Sequence, residues 1–235
     1  MAYRYLVVIP AYNEAASIEQ VVQLSRQYAD VCVVDDASTD ATPQILSRLA
    51  GVHIIHHTKN THIPGAILDG MRYALEAGYD FCITLDAGMS HDPTVLAKFK
   101  EHTEADLVIG YRARRVKVPA YRKALSYVAK LVMNHALNRK ARLGNRSALK
   151  DVTSGYRMYS RRSLALLLRT KMKSRSFDFH LEALAHIYRN DLKIEEIPIS
   201  YIYSNSSLRW RVVGHALKTW WRIYRGTDSA AVAGI

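Results

Sequence analysis

The order of apolar runs along these 235 residues predicts an α/β fold, a mostly parallel central sheet flanked by helices. Short runs without polar alternation, residues 6–10, 31–34 and 81–85, read as strands buried on both faces. Stretches with apolar residues near helical spacing separate them. Each run also stops at a polar or acidic cluster: Ala11-Tyr12-Asn13-Glu14, then Asp35-Asp36-Ala37-Ser38-Thr39-Asp40, then Asp86-Ala87-Gly88-Met89-Ser90-His91-Asp92-Pro93. Open α/β sheets bind ligands outside the carboxyl ends of such strands.

Taken in order, 5–10 is the first strand and 15–29 a helix with Ile18, Val21, Val22 and Leu24 on one side. Strand 31–35 follows, and Asp40 is placed to cap a helix with Pro43 in its first turn. A short strand at 52–56 precedes a helix at 66–77, opened by Gly65 and ended by Gly78. Strand 80–85 comes next, and Asp92-Pro93 has the form of a helix cap with proline at the first position. Strand 106–111 ends in Gly110-Tyr111-Arg112, a helix spans about 121–138, and 163–169 and 178–190 read as helices. Residues 193–202 read as a strand at the far end of the sheet. The expected organisation is one catalytic domain, 1–205, and a basic, Trp-rich amphipathic tail, 206–235.

A hydrophobic fraction of 49% suffices for a packed core, yet no apolar stretch approaches the roughly 20 residues that span a bilayer. The chain runs straight into a strand, so no signal peptide is expected. Cys32 and Cys82 fall inside strands and read as buried thiols of a reducing compartment. The net charge of +12 is concentrated: residues 107–150 hold twelve Lys or Arg and no Asp or Glu. That run lacks a nucleic-acid motif and the aromatic platforms of single-strand binders, so nucleic acid is not the expected partner. A solvated basic face and an anionic membrane surface or phosphorylated lipid remain open readings.

Acidic side chains at the strand ends of a basic protein suggest a metal, or the hydroxyls and ring nitrogens of a nucleotide-sugar, and so an enzyme. The motifs resemble those of family-2 inverting glycosyltransferases of the GT-A fold. They are most similar to the polyprenol- and dolichyl-phosphate sugar transferases typified by dolichyl-phosphate mannose synthase. The resemblance covers about residues 5–205. It rests on Val7-Val8-Ile9-Pro10-Ala11-Tyr12-Asn13-Glu14, on Val33-Val34-Asp35-Asp36-Ala37-Ser38-Thr39-Asp40, on Asp151-Val152-Thr153-Ser154-Gly155-Tyr156-Arg157, and on Glu195-Glu196-Ile197-Pro198-Ile199.

The resemblance implies donor binding by Pro10, Ala11, Tyr12, Glu14, Asp35, Asp36, Asp86 and Ala87. Asp36 and Asp35 would accept from the nucleobase, and Glu14 or Tyr12 would hold the ribose. Asp86 takes the first place of a D-x-D motif that positions Mg²⁺ or Mn²⁺ on the donor diphosphate, with Ser90 or His91 as further ligands. The second carboxylate is absent, because Gly88 stands there, and arginines neutralising the diphosphate without a metal are an alternative. For the acceptor phosphate the implied residues are Arg112, Arg122, Ser126, Arg157 and Arg209, with Asp86, Arg112 and Arg157 catalytic. Arginine's planar fork grips phosphate oxygens bidentately.

Helix 121–138 and the tail, with Trp210, Val213, Leu217, Trp220, Trp221 and Tyr224 among cations, fit either ordinary packing or peripheral membrane contact. The expected protein is a transferase acting from a GDP- or UDP-sugar onto polyprenyl or dolichyl phosphate. It would sit peripherally on the cytoplasmic face of a membrane, alone or with a membrane-protein partner. A hydroxyl acceptor with Asp178 or Glu182 as base, and a non-catalytic nucleotide- or lipid-binding subunit, are the alternatives.

Overall fold

The computed structural model describes residues 2–139, 148–203 and 210–227. Its strands are β1 (Tyr5–Ala11), β2 (Asp30–Asp35), β3 (His53–His56), β4 (Phe81–Thr84), β5 (Leu107–Val116), β6 (Arg157–Ser160) and β7 (Ile194–Ile202). They form one sheet in the order β3-β2-β1-β4-β6-β5-β7, with β6 antiparallel to both neighbours and every other pairing parallel. Helices are α1 (Ile18–Ser25), α2 (Thr42–Leu46), α3 (His62–Glu76), α4 (Leu96–Phe99), α5 (Ala120–Asn138), α6 (Arg161–Arg169), α7 (Phe179–Arg189) and α8 (Trp210–Arg225).

The unbroken apolar runs have a simple cause: alternate side chains feed two different cores. Leu6, Val8, Cys32 and Val34 point to the layer holding Ile67 and Met71 of α3, Leu164 of α6 and Leu184 of α7. Val7, Ile9, Val31 and Val33 point to the opposite layer with Ile18 of α1, Leu46 of α2 and Phe99 of α4. Both cysteines are free and buried, and burial pushes the Cys32 thiol up to about 12.

Several expectations hold in detail. Asp92 accepts from Thr94 N at 2.9 Å, Asp40 accepts from Thr42 N at 2.9 Å, and Gly78 closes α3 with φ +79°. Others shift. α3 begins at His62, so Gly65 lies inside the helix, where a Cβ would stand 2.3 Å from Thr61 Oγ1. β5 runs on to Val116 because β7 continues to pair with it across a register shift between Arg112 and Arg114. β6, only four residues long, has no counterpart in the sequence reading.

The tail segment α8 docks on the domain. Ile223 is fully buried, Trp220 Nε1 donates to Val132 O at 3.3 Å, and Thr219 Oγ1 donates to Asp178 Oδ2 at 2.8 Å. Among the described residues no helix is long and apolar enough to cross a membrane.

Candidate active site

The chain leaves β1 for β2 and β3 on one side and returns to β4 on the other, so the sheet's switch point lies between β1 and β4. A cleft of about 530 Å³ opens at their carboxyl ends.

On one side of it, the loops after β1 and β2 are zipped together. Asp36 N donates to Ala11 O at 2.8 Å, and Asn13 N donates to Ser38 Oγ at 2.9 Å. Asn13 Oδ1 accepts from Thr39 N at 2.8 Å, and Glu14 N donates to Thr42 Oγ1 at 2.9 Å. This mutual capping holds Asn13 and Ala37 at φ +57° and +62°, a left-handed backbone that costs free energy for residues with a Cβ.

Pro10, Ala11, Tyr12, Glu14 and Asp36 line the cleft. Asp36 is fixed from behind: Oδ1 meets His57 Nδ1 at 2.8 Å and accepts from Thr61 N and Oγ1 at 2.7 and 2.8 Å. His57 Nε2 stands 3.2 Å from Asp69 Oδ2, which places a second carboxylate on the far side of the ring. Burial raises the Glu14 carboxyl, partly offset by the Ser17 hydroxyl. Asp35 does not line the cleft; its oxygens go to Ser38 N at 3.1 Å and His56 Nδ1 at 3.1 Å.

Beyond β4, Asp86, Ala87, Ser90 and His91 line the cleft, with the Asp86 side chain 39% exposed. His91 Nδ1 is 3.5 Å from Asp86 Oδ2, its ring packed between those of Tyr156 and Tyr201. Burial lowers its pKa, with Asp86 opposing that shift, so the ring is neutral at pH 7.

The other wall is built by β5 and α5. Arg112 donates to Asp151 through Nε at 2.7 Å and Nη2 at 2.9 Å, and Nη2 also donates to Thr153 Oγ1. Arg115 shares the same carboxylate at 3.8 Å. Burial alone would raise Asp151, but Arg112 outweighs it and holds the carboxyl at about 2. Glu196 sets Asp151 in place by accepting from Lys150 N at 2.9 Å and Asp151 N at 3.0 Å. The Glu-Ile-Pro-Ile strand therefore acts through Asp151 on Arg112. Arg122 and Ser126 line the same wall; the Arg122 guanidinium lies over the Tyr203 ring and has no carboxylate partner among the described residues.

The reading of Arg157 as a phosphate ligand is corrected. Arg157 is fully buried on β6 and donates to the carbonyls of Ser154, His180 and Val152, each at 2.8 Å. Its place in an antiparallel strand turns it into the interior, where it ties β6 to α7. Arg209 lies outside the described residues, as do the side chains of Trp210 and Arg211.

The sequence reading missed Arg115, Ser154, His180 and the apolar run Leu125, Val128, Val132, Ala216 and Leu217, all lining the cleft. Arg115 was legible as part of the basic run; the apolar wall needed the α5–α8 packing to become visible.

For a divalent cation, Asp86 offers one carboxylate toward the cleft and Gly88 offers none. Among the described residues no three His, Cys, Asp or Glu side chains form a cation cage. Mg²⁺ commonly takes one or two carboxylates and completes its shell with phosphate oxygens and water. Asp86 thus fits a cation that arrives with a diphosphate.

Residues 6–167 match Glycosyl transferase family 2. Undecaprenyl-phosphate mannosyltransferase of Micrococcus luteus is 32% identical over 229 residues, covering 91% of each chain. Polyprenol monophosphomannose synthase of Mycolicibacterium smegmatis is 29% identical over 84% of this chain and 77% of its own. A UDP-N-acetylglucosamine–dolichyl-phosphate N-acetylglucosaminyltransferase of Methanococcus voltae is 30% identical over 86% and 87%. Glucosyl-3-phosphoglycerate synthase of Mycobacterium tuberculosis, solved with Mg²⁺ and UDP, superposes on 100% of this chain and 82% of its own. Its TM-score of 0.70 at 16% identity establishes a shared GT-A fold. With β2 to β6 and all but the first residue of β1 inside the matched region, and relatives alike over most of their length, the chain belongs to glycosyltransferase family 2 and is a glycosyltransferase.

Proposed function

We propose that the enzyme transfers a sugar from a GDP- or UDP-sugar to the phosphate of a polyprenyl or dolichyl phosphate, inverting the anomeric carbon, at a membrane surface. One observation carries this reading. Three guanidinium groups line the cleft with one carboxylate among them: Asp151 pairs with Arg112 and Arg115, Arg122 has no carboxylate partner among the described residues, and all three open onto an apolar groove between α5 and α8. The two uncompensated positive charges suit a phosphate monoester, which carries −1.5 to −2 near neutral pH. The groove wall of Leu125, Val128, Val213 and Leu217 suits the isoprenoid chain behind that phosphate. Two of the relatives above are named for lipid-phosphate acceptors, and the third for making polyprenol monophosphomannose.

A phosphate oxygen is ionised at pH 7 and needs positioning, whereas a hydroxyl needs a carboxylate base within hydrogen-bond reach. The structure offers no free base among the candidates. Asp178 accepts from Ser176 N at 2.7 Å and from Thr219 Oγ1 at 2.8 Å. Glu182 is fully buried and accepts from Ser174 N at 2.7 Å and Lys173 N at 3.0 Å. Both acids cap the 173–178 turn and anchor α8.

In the proposed reaction Asp36 holds the base and Glu14 and Tyr12 the ribose. Asp86 holds the diphosphate end, where a bound Mg²⁺ or Mn²⁺ would neutralise charge on the departing nucleotide. Arg112, Arg115 and Arg122 hold the acceptor phosphate on the opposite side of the sugar. Tyr121, Leu125, Val128, Leu131, Leu217 and Trp221 are exposed beside Lys123, Lys218 and Arg225, a face suited to an anionic bilayer. At about 1 kcal/mol for each well-placed cation, such a face supports reversible attachment on the cytoplasmic leaflet. Arg209 and a membrane-protein partner remain part of the proposal.

The test is acceptor choice: matched polyprenyl phosphate and free polyprenol offered to the same enzyme. Glycosylation of the phosphate alone is expected. Equal or preferred use of the polyprenol would sink the phosphate reading.

A further inference from the structure

We infer that the cleft floor between Asp86 and Arg112 reads the hydroxyls of the transferred sugar, through His180, His91 and Ser154. The inference rests on the assignment above, in which Asp86 holds the donor diphosphate and the arginines the acceptor phosphate. In an inverting displacement the sugar must lie between the leaving and the attacking oxygens. What lies beneath that point is therefore what the sugar meets.

Five buried polar atoms gather there without hydrogen-bond partners: both ring nitrogens of His180, both of His91, and Ser154 Oγ. All three residues line the cleft, and His180 and Ser154 are each 1% exposed. A buried polar group left unpaired is costly, so such a concentration at one spot calls for a partner. Glycine keeps this floor open to the cleft: a Cβ on Gly155 would stand 3.0 Å from His180 Nε2 and 3.3 Å from Asp86 Oδ1, crowding both groups.

The chemistry of the floor favours a hydroxyl. Burial, reinforced by Arg157, His91 and Arg112, lowers the His180 pKa well below its ordinary value, so the ring is neutral. A neutral imidazole presents one donor and one acceptor, and a sugar hydroxyl supplies both complements. A cation in this place would meet the positive charges of Arg157 and Arg112 that already act on His180, and among the described residues no three His, Cys, Asp or Glu side chains are arranged to hold one. Several such contacts, each dependent on hydroxyl orientation, would separate one hexose from its epimers.

Two variants test this, His180→Leu and Ser154→Ala, with His180→Gln as the conservative control and a thermal melt to confirm folding. Binding of GDP-mannose, UDP-N-acetylglucosamine, GDP and UDP is measured by calorimetry, with Mg²⁺ and with EDTA. For whichever sugar-nucleotide binds the parent, each variant should weaken it about tenfold, leave the bare nucleotide unchanged, and be partly rescued in His180→Gln. No change in sugar-nucleotide affinity, or an equal loss for nucleotide and sugar-nucleotide, would overturn the inference. A loss seen with Mg²⁺ and absent in EDTA would make His180 a cation ligand and overturn it as well. If the parent binds none of the four, the site assignment itself fails.

Discussion

The two walls of the cleft are built on different principles. The donor wall is a set of loops that cap one another: Asn13, Ser38, Asp40 and Thr42 exchange side-chain-to-backbone hydrogen bonds between the ends of β1 and β2. The acceptor wall is a relay. Glu196 on β7 fixes Asp151, Asp151 fixes Arg112 and steadies Arg115, and helices α5 and α8 add an apolar channel. In the proposed reaction the capped loop presents rigid acceptors to a base and ribose, and the relay ending in partly compensated guanidinium groups presents positive charge that a phosphate completes.

If the walls divide the work this way, mutations should separate them. Asp86, proposed to hold the departing diphosphate, should give the largest effect. Asp86→Ala is expected to cut kcat/KM about 10³-fold, about 4 kcal/mol, with an unchanged melting curve because the side chain is part-exposed and caps nothing. A loss under tenfold would remove Asp86 from the reaction.

Next comes the relay. Asp151→Asn strips the buried partner of Arg112 and should cost about 3 kcal/mol of stability by denaturant unfolding. It should also raise KM for the lipid phosphate while nucleotide binding by calorimetry stays the same. Its pH signature has a fixed sign. The folded carboxyl lies at about 2 against an ordinary 3.8, so it adds stability above 3.8 that disappears as pH falls toward 2. The parent should lose stability across that window, and the asparagine variant should lose correspondingly less.

The channel should give smaller and more selective effects. Leu217→Asp, at a position 59% exposed, should raise KM about tenfold for a long-chain polyprenyl phosphate and leave a short water-soluble isoprenyl phosphate unaffected. Equal loss for both acceptors would mean that the groove does not hold the chain. Smallest of all, Trp221→Ser should reduce partition onto anionic vesicles a few-fold in a flotation assay, about 1 kcal/mol, without altering nucleotide binding.

The same contrast explains what the sequence made legible. The donor wall is local: each loop follows its own strand, so Pro10-Ala11-Tyr12-Asn13-Glu14 and the Asp35–Asp40 cluster could be located from apolar runs alone. Only the finer choice between Asp35 and Asp36 needed the structure, because it depends on which carboxylate His56 draws away from the cleft. The acceptor wall is non-local. Arg112 and Arg122 were named only through the family resemblance, and Arg157 was misread because nothing in a four-residue strand signals that β6 is antiparallel and turns its arginine inward. The strand expected over 106–111 runs on to Val116 because β7 pairs with it, and that pairing partner, Ile194–Ile202, lies far along the chain. The apolar channel joins helices α5 and α8, far apart in the chain, and their spacing alone could not distinguish packing from an open groove.

Transfer itself remains the most direct test. The enzyme would be incubated with polyprenyl phosphate and radiolabelled GDP- or UDP-sugars, with Mg²⁺, Mn²⁺ or EDTA, and the organic-extractable label counted. Label from one donor in a mild-acid-labile lipid product, dependent on Arg112 and Asp86, is the predicted result. Label confined to the aqueous phase with every donor, while nucleotide still binds, would contradict it and separate the acceptor wall from any role in lipid-phosphate glycosylation.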